Sequence, residues 1–83
     1  MRVLYFAWLR QKVGIAEEDV APPAEVRDVA GLIRWLAARS AAHANAFADP
    51  RQVRAAVNQD FATPEHPVAA NDEVAFFPPV TGG

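Results

Sequence analysis

The sequence contains no cysteine, and this absence removes several classes of chemistry at once. Without thiols the chain forms no disulfide, offers no thiolate ligand to a metal and has no cysteine nucleophile. Its two histidines, His43 and His66, lie far apart in the sequence and have no partners at metal-ligand spacing. The hydroxyl residues Ser40, Thr63 and Thr81 have no evident base beside them, and no glycine-rich phosphate-binding loop is present. We therefore expect both histidines to be ordinary surface residues and the side chains to catalyse nothing by themselves.

Charge and hydropathy exclude two further classes of protein. The net charge is −2 and the basic residues are scattered, whereas a nucleic-acid-binding domain typically carries a basic stripe. No apolar run approaches the length of a membrane span. The apolar residues 1–8 are too few for a signal peptide and lack a small-residue cleavage site, so we expect a first strand and a cytoplasmic protein. With 83 residues, 52% of them hydrophobic, the chain suffices for one domain with one core.

The apolar pattern predicts the element order β-β-α-β-β. Residues 3–8 are apolar on both faces and predict a central strand, and residues 73–77 predict a second one. The main helix is expected to begin at Asp28, whose side chain can cap the first turn, and to bury one apolar stripe. Shorter strands follow within residues 53–58 and 61–63. A right-handed crossover through the helix would place the two apolar strands side by side and parallel.

Three smaller segments complete the predicted fold. Residues 17–21 predict a polar strand antiparallel to the first, because the return between them is short. Residues 9–13 predict a helical turn that Gly14 ends as a C-cap. The alanine-rich residues 41–48 are interpreted as a continuation of the main helix, anchored to the core by Phe47. The predicted class is α+β, a β-grasp in which a mixed sheet curls over one main helix.

The C-terminal residues are the most informative part of the sequence. Pro78 and Pro79 cannot continue a sheet ladder, because each lacks an N–H group and has a fixed φ. We therefore expect the β-grasp domain to occupy residues 1–79 and residues 80–83 to form a flexible Gly-Gly tail. Glycines without side chains can enter a narrow channel, so the carboxylate of Gly83 is a candidate reactive group. The alternative is a frayed end that finishes in two glycines by chance.

Aromatic residues predict an interface beside this tail. Alternation along the last strand places Phe76 on one face and Phe77 on the other. One helix covers only one face of a sheet, so Phe77 is expected to face outward, with Phe6 and Phe61 as candidates for the same face. An exposed aromatic patch on a small domain indicates a protein interface. The alternative is that these residues are core.

The same residues carry a resemblance to a known family. Residues 72–83 read DEVAFFPPVTGG, which resembles the C-terminal signature of the small subunits of molybdopterin synthase, members of the ubiquitin-like β-grasp sulfur carrier superfamily. Further similar stretches are residues 3–7 with Arg10 and Gly14, and residues 55–59. The proline-containing string separates this family from thiamin-pathway carriers and ubiquitin-like modifiers, which share the fold and the Gly-Gly end. Asn71, where the family commonly has glycine, and residues 41–48 depart from the pattern.

The resemblance implies a sulfur carrier that binds no cofactor itself. A ubiquitin-activating-like adenylyltransferase would adenylate the Gly83 carboxylate with ATP, and a persulfide donor would convert the product to a thiocarboxylate. The tail would then enter the large subunit of the synthase and give its sulfur to cyclic pyranopterin monophosphate, forming the dithiolene of molybdopterin. The resemblance also implies an assembly of two small and two large subunits. No metal, nucleic acid or membrane is implied.

The resemblance assigns roles to particular residues. The tail residues Val80, Thr81 and Gly82 would pass into the partner behind Gly83. The apolar contact with the large subunit would be made by Phe6, Phe61, Phe77, Pro78 and Pro79. Three alternatives remain open: a carrier for thiamin or another pathway, a ubiquitin-like protein modifier, and a β-grasp binding module whose Gly-Gly end is incidental.

Overall fold

The computed structural model of the chain describes residues 1–79. Within them the strands are β1 (Arg2–Tyr5), β2 (Glu17–Asp19), β3 (Arg54–Val57), β4 (Asp60–Ala62) and β5 (Glu73–Phe77). The helices are α1 (Ala7–Val13), α2 (Val29–Ala37) and α3 (Ala41–Ala46), with a 3₁₀ turn at Pro50–Gln52. The strands form one mixed sheet in the order β2-β1-β5-β3-β4, with β1 and β5 parallel and the other pairs antiparallel. The predicted β-grasp, with its two apolar strands side by side, is confirmed.

The core lies between one face of this sheet and the helices. Val3 pairs with Val74 and Tyr5 with Phe76 in the parallel register, and all four side chains are at most 1% exposed. Helix α2 adds a buried stripe at helical spacing, which consists of Val29, Leu32 and Leu36. Asp28 caps this helix as predicted, because its carboxylate accepts a 2.7 Å hydrogen bond from the backbone N–H of Gly31.

The prediction of a first strand over residues 3–8 is wrong at its end. Strand β1 stops at Tyr5, Phe6 is the N-cap of α1, and Ala7 begins the helix with φ at +56°. The residues after Tyr5 are still apolar, but the spacing of the buried positions changes from that of a strand to that of a helix. Leu9 is therefore the one residue of helix α1 that is fully buried. Gly14 ends this helix as predicted, with φ at +94° and its N–H donating to the carbonyl of Arg10.

The alanine-rich residues 41–48 are also not the continuation that the sequence suggested. Helix α2 ends at Ala37, and Ser40 caps a separate helix α3 by accepting a hydrogen bond from the backbone N–H of His43. The prediction that Phe47 anchors this segment is confirmed. Its ring is 4% exposed and lies edge-on to Phe76, with 5.1 Å between ring centroids.

A two-residue turn sets the register of the β3–β4 hairpin. Asn58 and Gln59 have φ of +51° and +73°, as a type I′ turn requires. The Asn58 side chain also accepts a hydrogen bond from the backbone N–H of Glu73 and donates one to Asp72. The hairpin is thereby tied to the start of β5, the strand that leads to residues 78 and 79.

Candidate functional site

The far end of β5 is the part of the fold that carries the predicted site. Phe77 ends the central strand, and Pro78 and Pro79 follow it, partly buried and outside the ladder as predicted. Phe77 lies opposite Arg54 in the antiparallel pairing with β3. Because alternate residues share a face, Phe77 lies on the face opposite the buried Phe76. The remaining tail residues Val80, Thr81, Gly82 and Gly83 lie outside the described residues, and their predicted roles stay predictions.

Phe61 and Phe77 come together on this outer face. Phe61 pairs with Ala56 in the register of β3 and β4, and its side chain is 84% exposed. Its ring centroid lies 5.9 Å from that of Phe77, a tilted contact within the usual range for aromatic pairs. The neighbouring positions Leu4, Ala56 and Ala75 are only partly buried. Strands β1, β5, β3 and β4 therefore present an apolar surface beside the point where the chain leaves the sheet. We call the surface formed by Leu4, Ala56, Phe61, Ala75 and Phe77 the outer apolar face.

Phe6 borders the same end of the sheet from the other side. It is 50% exposed, and its backbone N–H donates a 3.0 Å hydrogen bond to the carbonyl of Phe76. That bond continues the β1–β5 ladder past Tyr5 and fixes Phe6 next to the end of β5. The predicted interface residues Phe6, Phe61, Phe77, Pro78 and Pro79 therefore all lie around the exit of the chain from the sheet. That they contact a partner stays a prediction.

The opposite face of the sheet holds a polar cluster that the sequence reading missed. Glu18 lies across from Val3, and its Oε2 accepts a 2.7 Å hydrogen bond from the Tyr5 hydroxyl. The same oxygen lies 2.8 Å from Nε2 of His43, and Nδ1 of His43 lies 2.7 Å from Oγ of Ser40. The Arg39 guanidinium stands 3.9 Å from the other carboxylate oxygen. The cluster ties β1 and β2 to α3.

The interpretation of His43 as an ordinary surface residue is therefore wrong, since its side chain is only 11% exposed and bonded at both nitrogens. Ser40 likewise has a base beside it, contrary to expectation. The spacing of Ser40 and His43 is that of a helix cap and the third helical residue, a signal that was available in the sequence. Glu18 was not deducible, because it comes from a strand 25 residues away.

Burial and hydrogen bonds act in opposite directions on the carboxylate of Glu18. Its burial alone would raise the pKa, but the hydrogen bonds from His43 and Tyr5 outweigh it, so the pKa lies below the ordinary glutamate value. The pKa of Tyr5 is raised above its ordinary value, first by burial and then by its hydrogen bond to Glu18. Tyr5 therefore remains a neutral donor and Glu18 an ionised acceptor near neutral pH.

The lowered pKa of Glu18 predicts a loss of stability in acid. A carboxylate with a folded-state pKa below its unfolded value, about 4.3, stabilises the fold fully above that value and loses this contribution as pH falls through the folded pKa. We expect the urea midpoint of the native protein to fall more steeply below about pH 4.3 than that of Glu18→Gln. The exposed Glu65→Gln is the matched control and should follow the native curve. Parallel curves for the native protein and Glu18→Gln would contradict the assignment.

Two negative findings apply to residues 1–79. None of their helices is both long enough and apolar enough to cross a membrane. Nor do they contain a cluster of three or more histidine, aspartate or glutamate side chains able to hold a metal ion.

The second histidine, His66, is partly exposed, and its Nδ1 lies 2.9 Å from the carbonyl oxygen of Pro67.

The sheet order, the parallel central pair and the exit of the chain from the central strand define a ubiquitin-like β-grasp protein. A model of the ThiS family matches residues 3–83. The chain belongs to that family. It is 45% identical over 83 residues to the molybdopterin synthase sulfur carrier subunit of Escherichia coli (strain K12), covering 100% of this chain and 99% of the relative. The resemblance identified from residues 72–83 is thereby confirmed.

Solved structures agree with this assignment. A putative molybdopterin converting factor, subunit 1, from Pyrococcus furiosus superposes with a TM-score of 0.77 at 32% identity, covering 95% of each chain. SAMP1 from Haloferax volcanii superposes with a TM-score of 0.74 at 26% identity, covering 100% of this chain and 98% of that one. Both likenesses extend over nearly the whole β-grasp domain, so the fold is not a local match.

Proposed function

We propose that this chain is the sulfur carrier subunit of a molybdopterin synthase and that it carries sulfur as a thiocarboxylate at Gly83. The observation that carries the proposal is the full-length match to the E. coli subunit of that name. The fold supports it, because the central strand β5 leads through Pro78 and Pro79 directly to residues 80–83. We further propose that it works in the cytoplasm.

The proposed chemistry begins with a carboxylate, which is a poor electrophile. The Gly83 carboxylate attacks the α-phosphate of ATP on a ubiquitin-activating-like adenylyltransferase, pyrophosphate leaves, and an acyl-adenylate forms. A persulfide donor then attacks the acyl carbon and displaces AMP. A thiol reductant then cleaves the resulting S–S bond by thiol–disulfide exchange, which releases the thiocarboxylate, joins the reductant to the donor's sulfur as a disulfide and is completed by a second thiol that frees the donor. Two carriers loaded in this way supply the two sulfurs that cyclic pyranopterin monophosphate needs to become molybdopterin.

In this scheme the chain presents its C-terminal tail to the partner and does not supply acid–base catalysis. The sheet holds Phe77 and Phe61 in place with the chain exit beside them, so a partner that covers this surface receives the tail in a fixed direction. We propose that the large synthase subunit covers the outer apolar face together with Phe6, Pro78 and Pro79. Burial of exposed aromatics supplies affinity at such interfaces, while the catalytic groups belong to the partner.

Intact-mass spectrometry tests the proposal. The purified chain is incubated with the activating enzyme, ATP, a persulfide donor and a thiol reductant, and its C-terminal peptide is then mapped. We expect a mass gain equal to replacement of one oxygen by sulfur, located at Gly83, and no gain when ATP is omitted. An unchanged mass in the complete mixture would overturn the carrier assignment.

One observation favours a second function, that of a protein modifier. A solved structure named small archaeal modifier protein 1, from H. volcanii, superposes with a TM-score of 0.74 over 96% of this chain at 26% identity. A modifier uses the same activated carboxyl group but passes it to an amine of a target. If cell extract contained isopeptide conjugates through Gly83 and no free thiocarboxylate, the modifier function would replace the carrier function. A carrier for thiamin or another pathway would instead be identified by the partner that co-purifies with it.

A further inference from the structure

Ala7 has a backbone conformation that is unusual for its residue type. Within residues 1–79, three other residues have φ in the left-handed range, and each has a local reason: Asn58 and Gln59 form a hairpin turn, and Gly14 caps α1. Ala7 has φ at +56° but belongs neither to a hairpin turn nor to the end of a helix. In this conformation the Cβ of an L-residue lies too close to the following carbonyl oxygen. The backbone at Ala7 is therefore strained.

Contacts on both sides of Ala7 hold it in this conformation. Strand β1 ends at Tyr5 and helix α1 begins at Ala7, so a single residue, Phe6, separates the strand from the helix. On the strand side, the backbone N–H of Phe6 donates a 3.0 Å hydrogen bond to the carbonyl of Phe76. On the helix side, Leu9 is fully buried in the core. The strain persists because the structure fixes the chain both before and after Ala7.

A second local rule is broken at the neighbouring residue, Phe6. It is the N-cap of α1 but makes no side-chain cap hydrogen bond, although serine, threonine, asparagine and aspartate are preferred at this position. Its side chain is half exposed instead of buried. Adjacent departures from local preference are expected where function, rather than stability, selects the residues.

The turn at Ala7 determines where the Phe6 ring lies. Phe6 follows the buried Tyr5 in an extended conformation, so its side chain points away from the core. The left-handed residue then turns the chain into α1 at once, and Leu9 reaches the core while Phe6 stays outside. The ring is thereby held next to the end of β5, where the chain leaves the sheet.

We propose that Ala7 is a positioning residue, whose left-handed backbone fixes Phe6 where its ring contacts the large synthase subunit. This inference rests on the proposed function, from which it takes the place of Phe6 in the interface. A ring that is already held in its bound position loses less conformational entropy on association. Ala7 therefore contributes to affinity through Phe6.

The thermal midpoint of Ala7→Gly tests the strain. Glycine adopts a positive φ without steric cost, so we expect the midpoint to stay unchanged or to rise. Ala44→Gly makes the same change at an exposed position of α3 with an ordinary helical backbone and is the matched control. Its midpoint should fall by about 2–8 °C, because glycine is unfavourable inside a helix. An equal fall in Ala7→Gly would show that Ala7 is not strained and would overturn the proposal.

Amide hydrogen exchange follows the position of Phe6 without any partner. In Ala7→Gly we expect the Phe6 amide to exchange about tenfold faster, because the freer backbone lets the bond to Phe76 open locally. The Arg2 amide is the internal control. It bonds to the carbonyl of Asp72 at the other end of the same ladder and should exchange at the native rate.

The dissociation constant for the large synthase subunit tests the role in binding. We expect it to rise about threefold to tenfold in Ala7→Gly, because the ring must then be ordered on association. Ala7→Asn should restore the native value, since asparagine tolerates the left-handed conformation without the freedom of glycine. Ala7 is exposed, so the larger side chain has room. Phe6→Ala is measured beside these variants and gives the full effect of losing the ring.

Three outcomes of the binding experiment would overturn the proposal. The first is a native dissociation constant for Ala7→Gly, whatever its exchange rate at Phe6. The second is a failure of Ala7→Asn to restore binding. The third is undiminished binding by Phe6→Ala, which would remove Phe6 from the interface and with it this role of Ala7. The proposed sulfur carrier function is tested separately, by the mass gain at Gly83.

Discussion

Deletion of Gly82 and Gly83 is expected to abolish sulfur transfer in a reconstituted synthase without changing the stability of the domain. The loss is complete because a chain ending at Thr81 stops two residues short, about 7 Å in an extended conformation, of the position where the partner acts on the carboxyl carbon. We expect no change in stability because, within the described residues 1–79, the buried core extends from Val3 to Phe76 and is left intact by the deletion. The measurements are molybdopterin formation and the thermal midpoint.

Gly82→Ala gives the graded form of the same experiment. The added methyl group narrows the passage and restricts the backbone, so we expect slower transfer with the carboxyl group still at the right distance. Thr81→Ser, which removes one methyl group from the tail, is the matched control and should transfer sulfur at the native rate. Full transfer by the doubly deleted chain would show that the reactive group is elsewhere.

Phe76→Ala is expected to cost about 3–5 kcal/mol of the free energy of unfolding, the range for removal of a buried phenylalanine side chain. The ring is fully buried and contacts the rings of Tyr5 and Phe47, with centroids 6.3 Å and 5.1 Å away. A domain of this size has only about 5–15 kcal/mol in total. The variant should therefore be largely unfolded at temperatures that the native chain tolerates, as measured by urea denaturation.

Phe61→Ala is the same chemical change at an exposed position and serves as the matched control. With 84% of Phe61 exposed, we expect its free energy of unfolding to change by no more than about 0.5 kcal/mol. Its affinity for the large subunit should fall instead, because the ring that the partner would bury is missing. Equal destabilisation by both changes would contradict the described burial, and undiminished affinity would remove Phe61 from the interface.

Local patterns account for much of what the sequence predicted about the fold. Strand β5 was placed with its exact bounds because its alternation and the following Pro78 mark both its faces and its end. Asp28 and Gly14 were recognised because capping depends on residue type and backbone angle within one turn. The parallel pairing followed from the handedness of a single crossover.

The errors arose where tertiary contacts decide between local alternatives. An apolar run such as residues 3–8 fits a strand or the start of a helix, and only the burial of Leu9 beneath the sheet selects the helix. The cluster of Glu18, His43 and Tyr5 joins residues from separate elements, so no spacing rule predicts it. The sequence was sufficient to predict an exposed Phe77, because this residue directly precedes the two prolines that end the strand. Its contact with Phe61 could not be predicted without the register of β3 and β4.

The parallel pairing of β1 with β5 also has a consequence for biosynthesis. A ribosome makes β1 first and β5 last, so a nascent chain that has not reached residue 73 lacks the strand between β1 and β3. Until then Val3 and Tyr5 lack the strand that carries their paired residues Val74 and Phe76, and closing the sheet requires a contact that spans nearly the whole polypeptide, a feature that slows folding. Folding is therefore completed only after β5 has emerged. A prematurely terminated product stays unfolded, so it is open to proteases and does not compete for the carrier's partners.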